Sequence, residues 1–76
     1  MNREILMSLR KLYVPGSRVI LDSMNDIAAP PVGTLGRVSH VDDIGTIFVD
    51  WDNGSRLGVV YGVDDCHFFA EEKVEA

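Results

Sequence analysis

The spacing of apolar residues changes once along the chain, from a helical repeat to an alternating one. Ile5, Leu9, Leu12 and Tyr13 fall at i, i+4, i+7 and i+8, which is one stripe of an amphipathic helix. Asn2 is placed to cap the first turn, Glu4 lies near the positive end of the helix dipole and Arg10 with Lys11 near the negative end. Pro15-Gly16 stops the run, so the pattern predicts a helix from Asn2 to about Tyr13. A helix this short is marginal alone and must pack its stripe on the rest of the chain or on a neighbouring one.

Beyond Gly16 the residues read as short strands. Ser17 to Leu21 is rich in β-branched and aliphatic residues, Gly36 to Val41 follows, and Gly45 to Asp52 is a third. In the third, Ile47, Val49 and Trp51 alternate with Thr46, Phe48 and Asp50, giving one strongly apolar face. Arg56 to Val60 is expected to return against it, and Cys66 to Phe69 to form a last short strand. Between them lie a long loop over Asp22 to Gly33, a tight turn at Asp42-Asp43-Ile44-Gly45, and a short turn at Tyr61 to Asp65. Asn53-Gly54 has the two residues that a type I′ hairpin needs at positive φ.

Short strands with glycine at their corners fit a small barrel whose sheet bends sharply. One long first loop, a meander of hairpins and a short turn before the last strand is the order of an SH3-like barrel of about five antiparallel strands. A five-stranded OB-type barrel is the competing reading, but it calls for longer strands and a helix between the third and fourth. The expected organisation is an N-terminal amphipathic helix over 1–14, the barrel over 15–70 and a frayed acidic tail over 71–76.

With 76 residues the chain forms one domain. A domain of that size buries only about 60% of the surface its unfolded form exposes. Its stability is then of order ~4–11 kcal/mol, with little room for a deep substrate cavity. Apolar residues at 46% against charged residues at 25% place the chain among packed soluble domains rather than disordered ones. The single Cys66 excludes an internal disulfide, no export signal is apparent, and the cytoplasm is the expected location. No apolar run approaches the roughly 20 residues of a bilayer span, so no membrane partner is expected.

Twelve acidic residues against seven basic ones give a formal net charge of -5. That disfavours direct nucleic-acid binding, whose affinity comes from clustered Lys and Arg, whereas the basic residues here are scattered. From Val38 to Ser55 there is no Lys or Arg, while Asp42, Asp43, Asp50 and Asp52 fall inside that span. A partner docking there should be neutral or basic.

The chemistry-bearing residues form no catalytic or metal constellation. Asp50, Asp52 and Asn53 resemble the start of a calcium loop, but the sixth and twelfth positions are Ser55 and Tyr61 where Gly and Glu are required. Adjacent Cys66 and His67 on a strand point to opposite faces, and His40 is the one other nitrogen donor for a zinc site. Glycines follow turns rather than a phosphate-cradling motif. No cofactor is expected, and the chain does not read as an enzyme. Trp51 shares a face with Ile47 and Val49 and reads as a core anchor, while Phe48 is either core or, with Tyr61, part of a surface patch.

Pro15-Gly16-Ser17-Arg18-Val19, Met24-Asn25-Asp26, the run from Ala29 to Val38, Val41 to Ile47 and Trp51 to Ser55 together resemble a family of short bacterial and mobile-element proteins, domain-of-unknown-function family 4314. The resemblance covers most of the chain and implies no known activity. The segment Val49 to Ser55 is also similar to the Trp-Asp-Asn-Gly segment of the Mind bomb/Herc2 type domain, which implies an SH3-like fold.

The remaining candidates are turn and loop residues: Asp26, Pro30 and Pro31 in the first loop, Asp42 and Asp43 in the tight turn, and Tyr61, Asp64 and Asp65 before the last strand. In an SH3-like barrel these loops can frame a peptide groove. They point to a non-enzymatic interaction module that binds a neutral or basic protein segment through an acidic rim. The alternative is an acidic mobile-element protein that covers a nucleic-acid-binding surface of a host protein. Oligomeric state is open between a monomer and a homodimer through the stripe of Ile5, Leu9 and Leu12.

Overall fold

Asn2 begins the helix as its composition requires: the side-chain Oδ1 accepts the N–H groups of Glu4 at 2.7 Å and Ile5 at 3.4 Å. The computed structural model describes residues 1–70, and the tail expected over 71–76 lies outside the described residues. The elements are α1 (Arg3–Leu12), β1 (Arg18–Ser23), β2 (Leu35–Val41), β3 (Thr46–Trp51), β4 (Gly58–Val60) and β5 (Asp65–Phe68). All strand pairs are antiparallel, in the order β4-β3-β2-β1-β5. The fold is therefore mainly β with one N-terminal helix.

The apolar alternation places the core as expected. Val19 and Leu21 of β1, Val38 and Val41 of β2, Ile47, Val49 and Trp51 of β3 and Val59 of β4 are buried on one face, with Leu9 of α1 against them. Trp51 also donates its indole N–H to the carbonyl of Leu57 at 2.9 Å, which satisfies its buried polar atom. That bond draws Leu57 away from the ladder, so β4 starts at Gly58 rather than at Arg56. Gly36 faces Trp51 across β2 and β3, and a Cβ there would overlap Val49 Cγ1 and Trp51 Cε3. Close approach of the two strands over the tryptophan thus requires glycine.

Two expectations are corrected. Asn53 does not adopt positive φ, and only Gly54 does, at φ +91°. Gly54 N–H donates to Trp51 O at 2.9 Å and Trp51 N–H to Ser55 O at 2.9 Å, which is a three-residue hairpin loop with a glycine bulge rather than a type I′ turn. The Asp42–Thr46 turn repeats this geometry around Gly45, at φ +82°. Asn-Gly suits both loops; Asn53 selects this one by accepting the Ser55 N–H on its side chain at 3.0 Å.

The expected closed barrel does not form either. β4 and β5 approach one another, but no ladder joins them among the described residues. β4 is three residues long, and the N–H of Val60 is taken by the carboxylate of Asp64 at 3.0 Å. A donor that closure would use is already bonded within the turn.

The helix stripe is also only partly covered. Leu9 is buried and Leu6 and Tyr13 are partly buried, whereas Ile5 and Leu12 are 38% and 60% exposed. Leu9 therefore holds α1 to the core, a burial that contributes about 1.5–3 kcal/mol. Arg10 adds an anchor from the helix end, bonding Asp43 at 2.8 Å and the carbonyl of Val41 at 3.3 Å.

Candidate functional site

The gap between β4 and β5 opens into a cleft of about 340 Å³ with α1 along one side. Ile47 and Val59 form its floor, Leu9 and Tyr13 the helix side, and Tyr61, Asp64, Asp65 and Cys66 its rim. A second depression of about 420 Å³ continues it along α1, sharing Leu9, Tyr13 and Tyr61 and adding Glu4, Ile5 and Leu12. Together they make one apolar groove whose lining, among the described residues, holds three carboxylates, Glu4, Asp64 and Asp65, and no Lys or Arg. A shallower hollow of about 650 Å³ near Met7 is lined, among the described residues, by α1 and by Val14 two residues past its end, so it is an open helix surface and not a cleft.

The candidate acids separate into structural and surface groups. Asp64 is buried, and its oxygens accept the N–H groups of Asn25 at 2.8 Å and Val60 at 3.0 Å. One carboxylate thus ties the first loop to the end of β4. Asp42 caps its own turn by accepting the N–H groups of Ile44 at 3.1 Å and Thr46 at 2.9 Å. Asp43 is exposed and pairs with Arg10, and Asp65 is exposed where β5 begins. Asp26 caps Ala28 within the loop at 2.8 Å; Pro30 is buried and Pro31 exposed.

The structure brings Tyr61, Asp64 and Asp65 together on the groove. It leaves Asp26, Pro30, Pro31, Asp42 and Asp43 out of the groove lining. Register places the Asp42 turn and the Asp64 turn at the same end of the sheet, since Thr46 pairs with Val60. Phe48 is half-buried, stacks on His40 with ring centroids 4.8 Å apart and is not part of the groove lining to which Tyr61 belongs. Sequence reasoning missed Glu4, Ile5, Leu12 and Tyr13 as groove residues, because the helix stripe was read as covered by a single partner surface.

The two weak acids of the cleft are both pushed towards their neutral forms. Burial first, then the charges of Asp22 and Asp65, pushes the Cys66 thiol up to about 11. Burial, then Cys66 and Asp65, likewise raises Tyr13 above its ordinary value. A protonated thiol is a small apolar surface and not an activated nucleophile. His67, on the opposite face of β5, bonds both oxygens of Asp22 at 2.8 Å and so joins β5 to β1.

Among the described residues no helix is long and apolar enough to cross a membrane. Neither a curated protein nor a solved structure matches the chain. One family model does, over residues 2–69, and so covers α1 and every strand. The matched span thus takes in the motifs from Pro15 to Ser55 and the residues of the groove, and the chain belongs to the DUF4314 family, a domain of unknown function.

Proposed function

We propose that this protein is a non-enzymatic interaction module that binds a neutral or basic protein segment in the groove between α1 and the β4–β5 turn. The observation that carries the reading is the lining: Ile5, Leu12 and Tyr61 are exposed apolar surface, with Glu4 and Asp65 beside them and no cation among the described lining residues. Exposed apolar residues grouped in one concavity mark a contact surface. Carboxylates around it favour Lys- and Arg-bearing partners and repel acidic ones, nucleic acids included. The Cys66 thiol, protonated at neutral pH, supplies packing to such a site rather than chemistry.

The test uses two synthetic peptides with the same Leu and Phe content, one flanked by Lys and Arg and the other by Glu. Calorimetric titration should show binding of the basic peptide that weakens as salt is raised, and none of the acidic one. Equal affinity for both, or for neither, would remove the reading.

A further inference from the structure

We propose that the occupant of the groove is an extended segment that adds as a sixth strand to the free edge of β5, filling the gap that leaves the sheet open. This inference rests on the binding reading above and states its mode.

Hydrogen-bond parity along β1 fixes which groups of β5 are free. Leu21 N–H bonds Thr34 O and Ser17 O accepts Val38 N–H, so the odd residues of β1 point towards β2. Phe69 N–H bonds Arg18 O, so the even residues point towards β5. With Val19 opposite Phe68, Ile20 opposite His67 and Leu21 opposite Cys66, His67 and Phe69 face β1. The N–H and C=O of Cys66 and Phe68 therefore face outward, and no side chain or turn takes them among the described residues.

The other edge of the same gap is treated differently. At Val60 of β4 the N–H is held by Asp64, and the carbonyl accepts from Val63 and Asp64. Natural sheets block an edge in this way, or with Lys, Pro or an inward charge. Cys66 to Phe68 carries none of these. An uncapped edge beside an apolar cleft matches strand addition, in which main-chain bonds supply affinity and alternate side chains enter pockets.

Charge selects the occupant. Asp65 opens β5 and Glu4 and Asp64 line the groove, so a strand with alternating apolar and basic residues is complementary, its apolar set facing Leu9, Ile47 and Val59. Residues 71–76 of this chain hold three Glu and one Lys and lack that complementarity.

The test measures amide exchange of the full chain with and without a ten-residue peptide alternating Lys or Arg with Val, Ile or Phe. Saturating peptide should slow exchange at Cys66 and Phe68 at least tenfold and leave His67 and Phe69, already bonded to β1, within twofold. Methylating the peptide's backbone nitrogens at alternate positions should abolish binding in one phase and preserve it in the other.

Binding that protects neither Cys66 nor Phe68, or that tolerates methylation in both phases, overturns strand addition while the groove reading stands. No binding of the unmethylated peptide overturns both. Protection of these amides without peptide, rising with protein concentration, would assign the edge to a second copy; protection independent of concentration would assign it to the chain's own residues. Either outcome contradicts the proposal.

Discussion

Asp64 accepts the N–H of Val60 at 3.0 Å and so closes the edge of β4 from within its own turn. Its other oxygen holds Asn25 at 2.8 Å, which makes one side chain responsible for both the loop after β1 and the end of the sheet. Removing it leaves two backbone donors without their partner. Asp64→Ala should lower stability by about 2–4 kcal/mol in urea denaturation, a large share of ~4–11 kcal/mol. Asp64→Asn should recover only part of the loss, because its amide has one accepting oxygen in place of two.

Asp42 and Asp43 are neighbours with opposite roles. Asp42 satisfies two amides of its turn, whereas Asp43 is exposed and makes one ion pair with Arg10. Asp42→Ala should cost about 1–2 kcal/mol by the same denaturation measurement. Asp43→Ala should change stability by less than about 0.5 kcal/mol, since exposed ion pairs contribute little.

Trp51 is anchored by packing and by a hydrogen bond, and the two can be separated. Trp51→Ala should cost about 3–5 kcal/mol and leave the protein at or beyond the limit of folding. Trp51→Phe keeps most of the buried ring and loses the bond to Leu57 O, so a loss of about 1–2 kcal/mol is expected. Thermal unfolding of the two variants checks the order.

The Cys66 thiol, pushed up to about 11 by burial, sets a testable alkaline window. Below its ordinary value of 9.0 the thiol is neutral in both the folded and the unfolded chain, and its preference for the neutral form costs nothing. Between 9.0 and about 11 the unfolded chain ionises first, so stability falls through that interval and the contribution is lost above it. Iodoacetamide labelling of the native protein should follow the same ionisation, with a rate midpoint near pH 11 and about a hundredfold less thiolate at pH 8 than an ordinary cysteine.

Features set by nearest neighbours were legible in the sequence. The Asn2 cap, the Pro15-Gly16 stop and the Ile47, Val49, Trp51 face all appear where the local pattern places them. What was not legible depends on partners distant in the chain. Burial of Asp64 needs an amide from Asn25, 39 residues away, and nothing in an Asp-Asp pair tells which carboxylate turns inward. The same carboxylate's other bond, to the N–H of Val60, keeps the sheet open, so the closed barrel could not be corrected before the inward turn of Asp64 was known. Asp22 with His67 and the exposed part of the α1 stripe have the same origin, since strand pairing and helix placement decide them. The acidic character of the site was legible; the helix as one of its walls was not.

The central claim is that the groove between α1 and the β4–β5 turn is the contact surface for a basic segment. Titrating isotope-labelled protein with the alternating basic peptide, and following each backbone amide by NMR, locates the contact directly. The account predicts shifts clustered at Ile5, Leu12, Tyr61, Asp65 and Cys66, lost in the Glu4→Lys, Asp65→Lys double variant while its spectrum stays folded. Shifts confined to the loop from Asp22 to Gly33, or binding undiminished in the double variant, would contradict it.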